Sequence, residues 1–384
     1  MIENEKITVG FFLPSLEPGG TERNVIHLVN TINKSKYNVS LILGKKEGDF
    51  VKEVPQDIAV TNLDASYSIR LFFKLITYLK YKKPDIFVSS FPRINIICIA
   101  ARSCVRVRTK IMITEHSIFS LLPVIAKTPW RRTFARFFMP ILAKLLYPMA
   151  DSIVCVSNGI ATDLKKIVNA PGKIKVIYNP IINETIYRLA QEPVNHRWFL
   201  DRETPVILSV GRLVACKDYP TLLRAFKLVI EKQPAHLVVL GSGPEKQKLI
   251  DFAKKINIFE YVAFLGFQEN PYKYMAKASV FVLSSLQEGF GNVIIEAMAS
   301  GVPVVSTNCP TGPGEIIEHM KNGILVPVND EKTMATAMLK ILNNPALAEE
   351  FSEEGGKKAK FFSVKKSVEE YEKVFQTVLY EKIN

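Results

Sequence analysis

Short apolar runs, each followed by a break and then a segment of helical period, recur along the whole chain. That alternation constrains the fold more than any other feature. In the first half the runs are ITVGFFLPS, NVSLILG, DIFVSS, KIMITE, SIVCVS and IKVIYN. Between them lie stretches of helical spacing, among them TERNVIHLVNTIN after a Gly19-Gly20 break and LFFKLITYLKYKK. Apolar strands joined by helices form mainly parallel sheets. The series runs to about Pro180, and a polar stretch follows from about Ile182 to Pro205. A second series then begins with VILSVGRL, HLVVLGSG, VAFLGF, SVFVLSS, VPVVST and GILVPV, separated by helices such as YPTLLRAFKLVIEKQ, EKQKLIDFAKKIN and NVIIEAMASG. The expected fold is α/β, with two Rossmann-like domains over residues 1–182 and 183–364.

A length of 384 residues suits two domains of ordinary size. With 48% hydrophobic and 23% charged residues, bulk disorder, collagen and coiled coil are excluded. The five cysteines are odd in number and none is spaced CxxC, which argues against a disulfide framework and a zinc site. No segment offers roughly eighteen uncharged apolar residues. The opening MIENEKITVGFFLPS begins with acids and has too short an apolar run for a secretory signal. A cytoplasmic protein is expected.

The net charge of +13 is unevenly spread. Residues 1–190 carry 27 Lys and Arg against 14 Asp and Glu, whereas residues 191–384 carry 23 of each. A polyanionic neighbour for the first half is implied: nucleic acid, anionic lipid or a phosphorylated substrate. A solvated basic face is the plainer reading. Segment 130–149 sharpens the question. At helical spacing Trp130, Phe134, Phe137, Phe138, Ile141, Leu145 and Leu146 share one side, Arg132 and Arg136 point away, and Lys144 flanks. Pro140 is positioned to kink it. Residues 69–83 are a second such stretch. Basic amphipathic segments suit a membrane interface, and the competing reading is a pair of sheet-packing helices with basic outer faces.

The most informative motif is SSLQEGFGNVIIEAMASGVPVVST, residues 284–307. A strand ends at Ser284-Ser285, a loop through Glu288, Gly289, Phe290 and Gly291 follows, and a helix opens at Asn292 and carries Glu296. Helix N-termini present unpaired N–H groups that suit phosphate, and glycines permit close backbone approach. Glu296 stands among Val293, Ile294, Ile295, Ala297 and Met298, where burying a carboxylate without a partner is costly. In SVGRLVACKDYPTLLRAF, Arg212 and Lys217 flank a strand exit, and two cations there suit a diphosphate. Gly19-Gly20-Thr21-Glu22 after the first strand is a further contact surface, though not a full GxGxxG. His116, in Thr114-Glu115-His116-Ser117, follows the KIMIT strand. Pro310-Thr311-Gly312-Pro313-Gly314-Glu315 is expected to lead into a helix over IIEHM.

Together these residues resemble the retaining GT-B glycosyltransferases of family four. The resemblance covers essentially the whole chain. It is carried by GG at 19–20, EHS at 115–117, VSNG at 156–159, VIYNP at 176–180, GRL with Lys217, GSGP at 241–244, the E-x7-E from Glu288 to Glu296, and NGILV at 322–326. It implies two Rossmann-like domains facing each other across a cleft, with the last helix, 365–384, returning to the first domain. It implies a nucleotide sugar, a UDP-sugar with GDP-mannose as the alternative, and no cofactor. Glu296 would accept from the ribose and Glu288 would contact the donor sugar. Arg212 and Lys217 would neutralise the diphosphate, and Phe290, Gly291 and Asn292 would cap sugar or phosphate. Gly19, Gly20 and His116 would approach from the first domain. Gly241 and the loop 266–270 would hold the base. No DxD occurs, so a metal-independent retaining transfer is expected. The acceptor would be a glycan, lipid-linked, at an anionic membrane surface. A nucleic-acid-binding protein explains the charge but not the E-x7-E, and no nucleic-acid motif is present. A nucleotide-sugar isomerase of the same fold leaves the amphipathic segment without a role.

Overall fold

The computed structural model describes residues 5–65, 69–122, 128–201 and 203–380. The chain divides into two compact units, Met1–Pro180 with Val364–Asn384, and Ile181–Ser363. Each is a parallel α/β unit, and each is described by itself.

Among the described residues the first unit holds seven strands: β1 (Ile7–Leu13), β2 (Tyr37–Leu43), β3 (Ala59–Asn62), β4 (Ile86–Ser90), β5 (Lys110–Glu115), β6 (Ser152–Cys155) and β7 (Ile174–Val176). Their order is β3-β2-β1-β4-β5-β6-β7, parallel throughout. The winding direction reverses between β1 and β4, and in open α/β sheets ligands bind outside the carboxyl ends of strands at such a point. β1 runs out toward Gly19-Gly20, and β5 runs out into His116. Strand β3 was not expected. Its four residues are only half buried at an edge, so they lack the continuous apolar run of a central strand.

The helix Val364–Tyr380 is part of this unit. Val364, Val368, Tyr371, Phe375 and Val378, spaced at three and four residues, join the core formed with Val9, Phe11, Val25 and Val29. Phe375 lies edge-on to Phe11 at 6.5 Å and to Tyr37 at 5.7 Å. Full burial of such a ring is worth about 1.5–3 kcal/mol.

Segment 129–149 is not one kinked helix. It runs as a helix Pro129–Thr133, a π-turn Phe134–Phe138, a helix Met139–Leu146 and a 3₁₀ turn Tyr147–Met149. Pro140 lacks an N–H, and the widened turn just before it absorbs the break in the helical ladder. Met139, Ala143 and Tyr147 turn into the core. Trp130, Phe137, Phe138, Ile141, Leu145 and Met149 remain more than half exposed. Phe134 and Leu146, expected on the same face, are partly buried. The helix Ile69–Lys82 likewise buries Leu71, Leu75, Tyr78 and Leu79 and leaves Ile69, Phe73 and Tyr81 exposed. Among the described residues no helix is long and apolar enough to cross a membrane.

The second unit has six strands among the described residues: β8 (Val206–Val210), β9 (His236–Leu240), β10 (Val262–Gly266), β11 (Val280–Leu283), β12 (Val304–Thr307) and β13 (Ile324–Val326). Their order is β10-β9-β8-β11-β12-β13, again parallel. The reversal falls between β8 and β11, so the two candidate motifs leave the two strands that flank it. Two expectations need correction. The polar stretch after Ile182 is no mere linker: helices Glu184–Ala190 and Arg197–Leu200 bury Ile186, Ala190, Trp198 and Phe199 in the second unit. The expected helix over IIEHM is instead one turn, Pro313–Ile316, started by Pro313 and ended by extended backbone at Ile317.

Candidate functional site

β8 exits through Gly211 to an exposed Arg212. A 3₁₀ turn, Ala215–Lys217, leads to Asp218, whose φ of 45° is left-handed and suits Asp, Asn or Gly. The helix Tyr219–Ile230 then begins. This reversal folds Lys217 back over the strand exit: a Cβ built on Gly211 would lie 3.6 Å from Lys217 Cε. Tyr219 donates its hydroxyl to the Gly211 carbonyl at 3.1 Å.

β11 exits into Ser284 and Ser285, and its loop is laced to that turn. Ser284 donates to the Lys217 carbonyl at 2.7 Å, and the Leu286 amide donates to the Cys216 carbonyl at 2.9 Å. Lys217 Nζ donates to Glu288 Oε1 at 2.5 Å, and Ser285 Oγ donates to the same oxygen at 2.6 Å. The two charged side chains are only 17% and 12% exposed. Thr311 donates to the Glu288 carbonyl, and Thr307 to the Ser285 carbonyl at 2.6 Å. Burial, with the Glu288 charge added, pushes the nearby Cys309 thiol up to about 12.

Gly291, at φ 98°, caps the helix Asn292–Ala299, whose second turn carries the half-buried Glu296. Phe290 is 2% exposed, and its ring packs edge-on against Phe362 at 5.4 Å, so the side chain is taken up by packing. At the exit of β9, Gly241 adopts φ 133°, and a Cβ there would stand 2.0 Å from the Gly211 carbonyl oxygen. Only glycine lets the β8 and β9 exits meet so closely.

In the first unit Gly19 precedes the helix Gly20–Thr31 in extended conformation, and its carbonyl accepts from the Arg23 amide at 3.0 Å. A Cβ there would fall 2.2 Å from Glu22 Oε2. His116 Nε2 lies 3.0 Å from Thr114 Oγ1, which lies 2.7 Å from Ser90 Oγ. Burial lowers the His116 pKa to about 4, so the ring is neutral near pH 7.

Thus Lys217 and Glu288 are joined directly, with Arg212, Gly241, Phe290, Gly291, Asn292 and Glu296 at the strand exits and helix start around the same switch point. Gly19, Gly20 and His116 sit at the strand exits of the other unit. Sequence reasoning missed Ser285, Thr307 and Thr311, which orient Glu288 and its loop. The paired serines closing an apolar strand were the available signal.

Each unit is doubly wound, and open parallel sheets of this kind bind ligands at the carboxyl ends of their strands beside the switch point. Residues 18–184 match the family described as glycosyltransferase family 4, and residues 192–358 match glycosyl transferases group 1. The chain is 32% identical over 365 residues to the N-acetylgalactosamine-N,N'-diacetylbacillosaminyl-diphospho-undecaprenol 4-alpha-N-acetylgalactosaminyltransferase of Campylobacter jejuni, covering 92% of this chain and 95% of that one. It is 26% identical to the lipopolysaccharide core biosynthesis glycosyltransferase LpsE of Rhizobium meliloti, over 88% and 89% of the two chains. Among solved structures, Anabaena HepE in complex with UDP-glucose has a TM-score of 0.79 at 19% identity, over 97% of this chain and 100% of that one. WaaG, a glycosyltransferase involved in lipopolysaccharide biosynthesis, has a TM-score of 0.76 at 16% identity, with 97% and 100% covered. The chain belongs to the glycosyltransferases of these two families, and its fold class is GT-B.

Proposed function

We propose that the enzyme transfers a hexose or N-acetylhexosamine from a UDP-sugar to a hydroxyl of a lipid-linked glycan acceptor, with retention and without a metal ion. The observation that carries this reading is the meeting of Lys217 and Glu288 at the β8–β11 switch point, beside Arg212 and a helix N-terminus. Departure of a nucleoside diphosphate builds negative charge, and preorganised donors aimed at it lower the barrier. Arg212, Lys217 and the amides at Gly291 and Asn292 are the donors for that charge. Glu296 takes the ribose hydroxyls and Glu288 the sugar. Gly241 lets the base approach, and Gly19, Gly20 and His116 are the contacts from the first unit. The diphosphate itself serves as base for the acceptor hydroxyl, and no separate nucleophile is assigned.

The name of the Campylobacter relative, which specifies an undecaprenol-diphosphate-linked acceptor, supports the acceptor class. The HepE complex supports UDP as the nucleotide. The basic first half and the exposed apolar residues of segments 69–82 and 129–149 suit the anionic inner face of a membrane, where each basic residue near the surface adds about 1 kcal/mol. The test is incubation with UDP-N-acetylglucosamine, UDP-N-acetylgalactosamine or UDP-glucose, with and without an undecaprenyl-diphosphate-linked glycan. Acceptor-dependent release of UDP is expected. Turnover of GDP-mannose alone would contradict the donor assignment.

A further inference from the structure

Glu115, the last residue of β5, is fully buried in a strand whose preceding residues Ile111, Met112 and Ile113 are apolar. No ion pair among the described residues engages it. Its Oε1 accepts from the Tyr147 hydroxyl and from Asn95 Nδ2 at 2.7 Å, while Oε2 is buried without a hydrogen-bond partner. Burial pushes this carboxyl up to about 7. A buried carboxyl facing no cation is among the costliest placements in a core, so packing alone favours an apolar residue here.

The surroundings show what the carboxyl holds. Asn95 Nδ2 also donates to the Thr114 carbonyl at 3.0 Å, and its Oδ1 accepts from Ser89 Oγ at 2.8 Å. Side chains alternate along a strand, so Ser89 and Glu115 face Asn95 while Ser90 and Thr114 turn the other way. On that other face Thr114 Oγ1 contacts His116 Nε2. The two residues before His116 are therefore pinned from both sides of the sheet. Asn95 lies in the helix Pro92–Ser103, entered through Phe91 at φ 78°, a conformation that a bulky residue keeps only where its surroundings impose it. Tyr147 opens the 3₁₀ turn that ends the surface helix Met139–Leu146.

We propose that Glu115 is a positioning residue: through Asn95 and Tyr147 it locks the end of β5 to the 139–149 segment and so fixes the orientation of His116. The inference rests on the reading of His116 as a contact to the donor. It adds a link from the exposed apolar segment to the strand exit that carries that contact.

Two substitutions separate positioning from packing. Glu115→Met keeps the length and removes both acceptor bonds; Glu115→Gln keeps an acceptor oxygen. Glu115→Met relieves the burial of a carboxyl but takes an acceptor away from the Tyr147 hydroxyl and Asn95 Nδ2, two opposing effects of similar size. Glu115→Met is expected to fold and to melt within a few degrees of the wild type. Its kcat with UDP-N-acetylglucosamine should nonetheless fall by about tenfold or more, with donor KM within about twofold, because a small misplacement of a site residue is costly to rate. Glu115→Gln should restore most of the rate. Imidazole ¹⁵N spectra, with His116 assigned through His116→Gln, give a readout that needs no substrate. The His116 signals should move in Glu115→Met and stay in place in Glu115→Gln. Unmoved His116 signals in a folded Glu115→Met protein would overturn the proposal. If that variant does not fold, Tyr147→Phe is read the same way. A wild-type protein that turns over no UDP-sugar would overturn the donor assignment, and the imidazole spectra would still decide this inference.

Discussion

Lys217 Nζ and Glu288 Oε1 stand 2.5 Å apart at the reversal of the second sheet, so the residue assigned to the diphosphate and the residue assigned to the sugar hold each other. On the proposed assignment, a donor entering this site would share the ammonium between carboxylate and phosphate. The pair also separates two cations that look equivalent in the sequence. Lys217→Ala leaves Glu288 mostly buried without its counter-ion, and breaking a buried pair costs up to about 3–5 kcal/mol. Arg212 is exposed and, among the described residues, forms no such ion pair. Both alanine variants should lower transfer by about a hundredfold, but only Lys217→Ala should also lose several degrees of melting temperature. Equal melting temperatures would contradict the coupling.

Transfer should persist in excess EDTA. The leaving-group charge is assigned to Arg212, Lys217 and a helix N-terminus, which need no metal. Complete loss of turnover, restored by Mg²⁺ or Mn²⁺, would contradict that assignment.

The buried groups at the end of β5 predict a pH signature. Glu115 rises from 4.5 to about 7 on folding, so its stabilising contribution is full below 4.5 and is lost as pH climbs toward 7. His116 falls from 6.5 to about 4, so its contribution is lost in the opposite direction, as pH drops below 6.5. Tyr147 and Cys155, which face Glu115, are both pushed further up and stay neutral over this range. Melting curves of wild type and Glu115→Gln from about pH 5 to about pH 8 isolate the first effect. The variant should gain on the wild type as pH rises. A constant gap would mean that Glu115 does not titrate in this window.

The exposed apolar residues of segment 129–149 are expected to bind lipid. Replacing Phe137, Ile141 and Leu145 together by Ser should weaken sedimentation with phosphatidylglycerol vesicles and leave the melting temperature unchanged, since all three are more than half exposed. A large loss of stability would show that they are core residues.

Much of this architecture was legible because parallel strands are apolar on both faces. All six strands of the second sheet read directly as uninterrupted runs. β3 escaped because an edge strand with half-exposed residues has no such run. The buried pair Trp198 and Phe199 was hidden in a stretch rich in charge. In segment 130–149 the conspicuous aromatics obscured the true inward register of Met139, Ala143 and Tyr147, spaced every four residues. The Lys217–Glu288 bond joins positions 71 residues apart. No local spacing announces such a contact; it follows from the order in which β8 and β11 lie side by side.

The division of labour between the two glutamates is the central claim, and isothermal titration of UDP tests it most directly. Glu296→Gln should weaken UDP binding, because the ribose contact is present with or without the sugar. Glu288→Gln should keep or improve UDP affinity, since Lys217 is released to the diphosphate, while turnover falls because the lost contact acts on the transferred sugar. Loss of UDP affinity in Glu288→Gln with retention in Glu296→Gln would contradict the account.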